Sequence, residues 1–75
     1  MAPRVRKLKA RQVERILIQL GFELVRKKGS HKFYKHPDGR YTVIPFHSSE
    51  DIGRGLLRQI LREVNLSVDE LIKLL

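Results

Sequence analysis

The chain has 75 residues and 8.8 kDa, with 16 Lys and Arg against 8 Asp and Glu, three His and no Cys. That length holds one domain burying about 60% of its unfolded surface, so its core must come from two or three helices packed on one another or on a small sheet. The lack of cysteine excludes a disulfide framework and any thiolate metal site, and suits a reducing cytoplasm. No apolar run approaches a membrane span, and nothing after Met1-Ala2-Pro3-Arg4 resembles a signal peptide, so no membrane partner is expected.

A formal charge of +8 points to a polyanion, of which nucleic acid is the commonest, although charge alone can also serve solubility. The charge is uneven: net +5 over residues 1–20, +4 over 21–45 and −1 over 46–75. The polyanion surface is therefore expected before residue 46, with the remainder free for packing or a protein partner.

Residues 1–7 read as a loose basic tail and 8–75 as one domain. Val13, Ile16, Leu17 and Leu20 form the stripe of an amphipathic helix that stops at Gly21; Lys9 and Ala10 offer it no good N-cap. Phe22 to about Lys28 reads as a strand, and His31–His36 as a second. Pro37-Asp38-Gly39-Arg40 is a hairpin signal, and Tyr41–Ile44 returns as a third strand ending at Pro45. Ile52, Leu56, Leu57, Ile60, Leu61 and Val64 mark a second helix from about Arg54 to Asn65. Ser67 and Glu70 are the capping box of a short third one, with Val68, Leu71, Ile72 and Leu75 as its apolar face. The expected fold class is α+β in the order α-β-β-β-α-α, with the helices on one face of a three-stranded antiparallel sheet and the other face open to water or ligand.

Lys27-Lys28-Gly29-Ser30-His31-Lys32 carries the most chemistry. A Gly-Ser turn offers backbone N–H groups, Ser30 adds a hydroxyl, and three lysines add charge, all suited to a phosphate. His31 stands at the turn-to-strand junction among like charges, which disfavour an imidazolium and so favour the neutral ring a general base needs. The same spacing also fits a solvated basic hairpin with an ordinary surface histidine. A metal site among His31, His36 and His47 is not expected. Five residues of strand put the first two on opposite faces, and no acidic ligand lies between them. Ser30 has an adjacent histidine but no orienting partner or nucleophile elbow, and the one candidate for paired-carboxylate work, Glu50-Asp51, is adjacent in a loop and reads as solvent-facing or near a helix start. Phe33, Tyr34 and Tyr41 interleave with Lys32, Lys35 and Arg40, as on sheets where rings stack on bases and cations meet phosphates. Of these, Phe33 is expected in the core; the places of Tyr34 and Tyr41 stay open.

Leu20-Gly21-Phe22-Glu23-Leu24-Val25-Arg26, Lys28-Gly29-Ser30-His31, His36-Pro37-Asp38-Gly39-Arg40, Val43-Ile44-Pro45 with His47, Gly55-Leu56-Leu57-Arg58-Gln59-Ile60-Leu61 and Leu66-Ser67-Val68-Asp69-Glu70-Leu71 together resemble the HicA/YcfA-like toxins of prokaryotic toxin–antitoxin systems. The resemblance spans roughly residues 8–75; Leu56 departs from it, since many members carry Thr or Ser after the glycine. It implies a fold similar to double-stranded-RNA-binding domains, an mRNA-cleaving endoribonuclease whose essential histidine is His31, a HicB-like antitoxin covering the active surface, and a prokaryotic cytoplasm. RNA can supply its own 2′-OH as nucleophile, so the protein need add only an acid–base group and cations. His31 as general acid/base, with Lys28, Gly29, Ser30, Lys32 and Lys35 on the RNA backbone, meets that need with no metal and no cofactor. A non-catalytic RNA-binding module of the same fold is the alternative. A third reading is a protein whose basic face serves only an acidic antitoxin.

Overall fold

A computed structural model describes residues 8–46 and 51–75. The basic tail, His47 and Glu50 lie outside the described residues. The elements run β1 (Leu8–Lys9), α1 (Ala10–Gln19), β2 (Glu23–Lys28), β3 (His31–Lys35), β4 (Tyr41–Pro45), β5 (Asp51–Ile52), α2 (Arg54–Glu63) and α3 (Val68–Leu74). The expected α+β order is present, with one addition. Leu8 pairs with Ile52 and Lys9 with Asp51, a two-residue antiparallel ladder that ties the start of α1 to the start of α2. Lys9 Nζ lies 2.8 Å from Asp51 Oδ1 across it. Two residues are too few for alternation to announce a strand in the sequence.

α1 buries Ala10, Val13, Ile16 and Leu17, the face its 3.6-residue spacing predicts. The missing N-cap is offset by Gln12, whose Oε1 accepts the Lys9 amide at 2.8 Å. The chain leaves the helix at Gly21 with φ +98°, where a Cβ would also stand 3.1 Å from His36 Nε2. α2 ends into Asn65 at φ +56°, a left-handed position that asparagine tolerates better than most residues. At α3 the capping box is formed: Ser67 Oγ accepts the Glu70 amide, and Glu70 Oε1 accepts the Ser67 amide, each at 3.1 Å. The Ser67 amide holds the Glu70 carboxyl below its ordinary range.

The main sheet has the order β2-β3-β4, antiparallel throughout. Its inner face presents Tyr34, Thr42 and Ile44 to the helices, where they join Leu17, Phe22, Leu57, Ile60, Val64 and Leu71 in the core. Tyr34 is thus the core aromatic of β3, and the expectation that Phe33 would be is corrected. Side chains alternate along a strand, so burying Tyr34 turns Phe33 to the outer face, where it is half-buried. The helices pack on the β4 side of the sheet, and every residue of the edge strand β2 is exposed.

Candidate functional site

Register decides which side chains can act together. On β3, His31, Phe33 and Lys35 point to the open face. Opposite them stand Lys28 and Pro45, Arg26 and Val43, and Glu23 and Tyr41 respectively. The open face therefore carries three rows: Lys28–His31–Pro45, Arg26–Phe33–Val43 and Glu23–Lys35–Tyr41. Successive rows are about 7 Å apart along the strand, and side chains directly opposite sit about 5 Å apart at Cβ.

A bulge creates this arrangement. Glu23 pairs with Lys35 and Leu24 with Tyr34, but the register then shifts so that Arg26, not Val25, faces Phe33. An unbulged strand would set Val25 opposite Phe33 and Lys27 opposite His31, with Arg26 and Lys28 on the helix side. The extra residue thus brings Arg26 and Lys28 onto the face of His31 and sends Lys27 to the other.

The turn between β2 and β3 is the two-residue Gly29-Ser30. Gly29 has φ +58°, the positive value that such a hairpin needs at its first position, while a Cβ there would meet nothing within 4 Å. Glycine is required by the backbone, and the space above it is open. The Ser30 carbonyl accepts the Phe46 amide at 2.6 Å, which anchors the turn to the end of β4. His31 is exposed at this junction.

The predicted site residues divide between the two faces. Lys28 and Lys35 share the outer face with His31, and among the described residues neither is ion-paired to a carboxylate. Lys32 lies on the inner side, with Nζ 3.3 Å from Glu14 Oε2 of α1 and 4.1 Å from the centre of the Phe46 ring. The same Glu14 oxygen accepts the buried Tyr34 hydroxyl. Burial first, and the carboxylate beside it second, push the Tyr34 hydroxyl well above the ordinary tyrosine range.

The motif from His36 to Arg40 is internal bracing. The Asp38 amide donates to His36 Nδ1 at 3.1 Å, which leaves Nε2 to carry the proton and donate to the Leu20 carbonyl at 3.0 Å. The His36 ring also stands edge-on to Phe22, with centroids 5.1 Å apart. Arg40 joins Asp38 through Nε at 2.8 Å, lies 5.1 Å from the Phe22 ring centre, and donates from Nη1 to the Val64 carbonyl at 2.6 Å. There it supplies a cation and a donor at the C-terminus of α2. The Arg40 amide and then its guanidinium hold the Asp38 carboxyl low. Arg40, grouped by its spacing with RNA-contacting cations, is spent inside the fold.

Arg26 takes the outward place instead, its Cζ 5.7 Å from the Phe33 ring centre, and sequence spacing does not single it out. Tyr41 is 46% exposed, and its ring centroid lies 6.2 Å from that of Phe33. Beyond them a groove of about 300 Å³, lined by Glu23, Val25, Lys35, His36 and Pro37, continues along the strands. Among the described residues no three His, Asp or Glu side chains are grouped as metal ligands would be, and Asp51 is engaged by Lys9. No described helix is long and apolar enough to cross a membrane.

Residues 10–66 match the family model described as the HicA toxin of bacterial toxin-antitoxin. No curated protein matches the chain.

Proposed function

The chain belongs to the family of HicA toxins of bacterial toxin–antitoxin systems, and from that premise we propose that it acts by cutting mRNA, with His31 as general acid/base. The observation that carries this reading is the outer face of the sheet. An exposed histidine stands there directly opposite Lys28, with Arg26 and Lys35 in the next two rows. A phosphodiester lying over the Lys28–His31 row would present its 2′-OH to the imidazole. His31 takes that proton, the 2′-oxygen attacks the adjacent phosphorus, and the bond to the 5′-oxygen breaks. The imidazolium returns a proton to the leaving oxygen, giving a 2′,3′-cyclic phosphate and a 5′-hydroxyl. Lys28 and Lys35 offset charge on the phosphorane and the neighbouring phosphates, and the Gly29-Ser30 turn adds donors beside them. Lys32, held by Glu14 on the inner side, supports the strand from behind.

The antitoxin that a family toxin implies is, in this proposal, a HicB-like acidic protein covering the same face, and both act in a prokaryotic cytoplasm. The test uses purified chain, single-stranded RNA and EDTA. Cleavage should persist in the chelator and leave cyclic phosphate ends, and a 2′-deoxy substitution at the cut linkage should stop it. Salt-dependent RNA binding without cleavage at any protein concentration would instead identify a non-catalytic RNA-binding module.

A further inference from the structure

The outer face of the sheet holds more than a histidine and cations. In its middle, Phe33 and Tyr41 sit diagonally across β3 and β4, with ring centroids 6.2 Å apart and planes inclined at 36°. The rings are tilted rather than flush. Tyr41 is 46% exposed, while Phe33 is half-buried, with the Arg26 guanidinium from the opposite strand over its ring, 5.7 Å from the centre. Neither ring is among the buried core residues. Phe33 is two residues from His31 on the same side of β3, about 7 Å along the strand.

We propose that Phe33 and Tyr41 form a base-stacking subsite next to His31, so that the substrate at the point of cleavage is single-stranded RNA with an unpaired base laid on these rings. The inference rests on the ribonuclease reading and names its substrate class. The exposed Tyr41 ring and the half-buried Phe33 ring ask for a flat apolar surface, and the Arg26, Lys28 and Lys35 cations around them, against Glu23 alone among the described residues of this face, ask for negative charge. A nucleotide supplies both in one unit: the base meets the rings while its phosphates meet the cations. A duplex does not, since its base faces are already stacked and only edges and backbone are presented. The face would then recognise an unpaired strand despite the likeness of the fold to duplex-binding domains. The step from the Phe33 row to the His31 row sets the stacked base beside the scissile phosphate, which makes the rings positioning groups for the cut.

The test measures binding of the whole chain to a single-stranded oligonucleotide with 2′-O-methyl groups throughout, which blocks the attacking hydroxyl and separates binding from cleavage. Phe33→Leu and Tyr41→Leu should each weaken binding about 10-fold or more, whereas Tyr41→Trp should keep it. An abasic backbone of the same length should bind wild type as weakly as the leucine variants, and should not distinguish among the three. Tyr41 is exposed, so its variant stays informative even if Phe33→Leu disturbs the fold. Unchanged affinity of Tyr41→Leu for the single strand would overturn the proposal, leaving the rings to a protein partner. Equal loss on a matched duplex would overturn it as well. Ring-dependent binding in a chain that cuts nothing would refute the ribonuclease reading while leaving the stacking subsite in place.

Discussion

The Tyr34 hydroxyl is buried against Glu14, whose carboxylate also receives Lys32, so three polar groups satisfy one another beneath the sheet. Tyr34→Phe keeps the ring but removes the donor, and should cost about 1.5–3 kcal/mol of stability, the range for a hydrogen bond to a charged group. Its pH dependence has a definite sign. The folded state holds the hydroxyl proton more tightly than the unfolded chain, so this stability is intact below the unfolded value near pH 10 and lost as pH rises beyond it. Chemical denaturation of wild type should therefore lose about 1.4 kcal/mol per pH unit above ~10 relative to Tyr34→Phe. Parallel curves for the two proteins would contradict the assignment. Gly21 offers a second check. At φ +98° and with His36 Nε2 in the way of a Cβ, Gly21→Ala should cost about 1–3 kcal/mol and lower the thermal midpoint. Gly29→Asn, at an open position of φ +58°, should cost less, because asparagine adopts left-handed backbone more readily. Such roles were only partly legible beforehand. The glycines announced turns, but nothing in the spacing of His36 or Arg40 said that one would bond Leu20 and the other Val64, because those partners are 16 and 24 residues away.

At the level of elements, the bulge in β2 sorts adjacent lysines by face. Lys28 stands opposite His31 on the open face, and Lys27 stands opposite Lys32 on the other. Lys28→Ala should weaken RNA binding and reduce the slope of log affinity against log salt by about 0.7, the value for one phosphate contact on a single strand. Lys27→Ala should leave that slope nearly unchanged; equal slopes for the two variants would mean that the register does not set the contact. The three strands, the three helices and the α3 capping box could all be read from periodicity and turn residues. The face of each lysine could not, because one inserted residue reverses the parity of everything after it and leaves no compositional mark. The same gap misplaced Phe33: β3 has aromatics at two successive positions, and alternation says that only one is buried without saying which. Register then resolved it, with Tyr34 against Thr42 on the inside and Phe33 against Val43 outside.

For the whole molecule, the +8 charge becomes a located feature. The α helices close one side of a small sheet, and the other side gathers Arg26, Lys28 and Lys35 around His31 and two rings. Cations of the strands and turns do not all contribute, since Lys9, Lys32 and Arg40 are committed to Asp51, Glu14 and Asp38. Membership of the HicA family says that the chain is a toxin; the open face is what supports the proposal of how it acts. The most direct measurement is digestion of single-stranded RNA by wild type and His31→Ala side by side in EDTA, with binding of the uncleavable oligonucleotide measured on both. His31→Ala should lose cleavage by at least about 100-fold, the lower range for removing a general acid–base group, while its RNA affinity stays within a few-fold of wild type. Cleavage by His31→Ala at the wild-type rate would rule out His31 as the acid–base group.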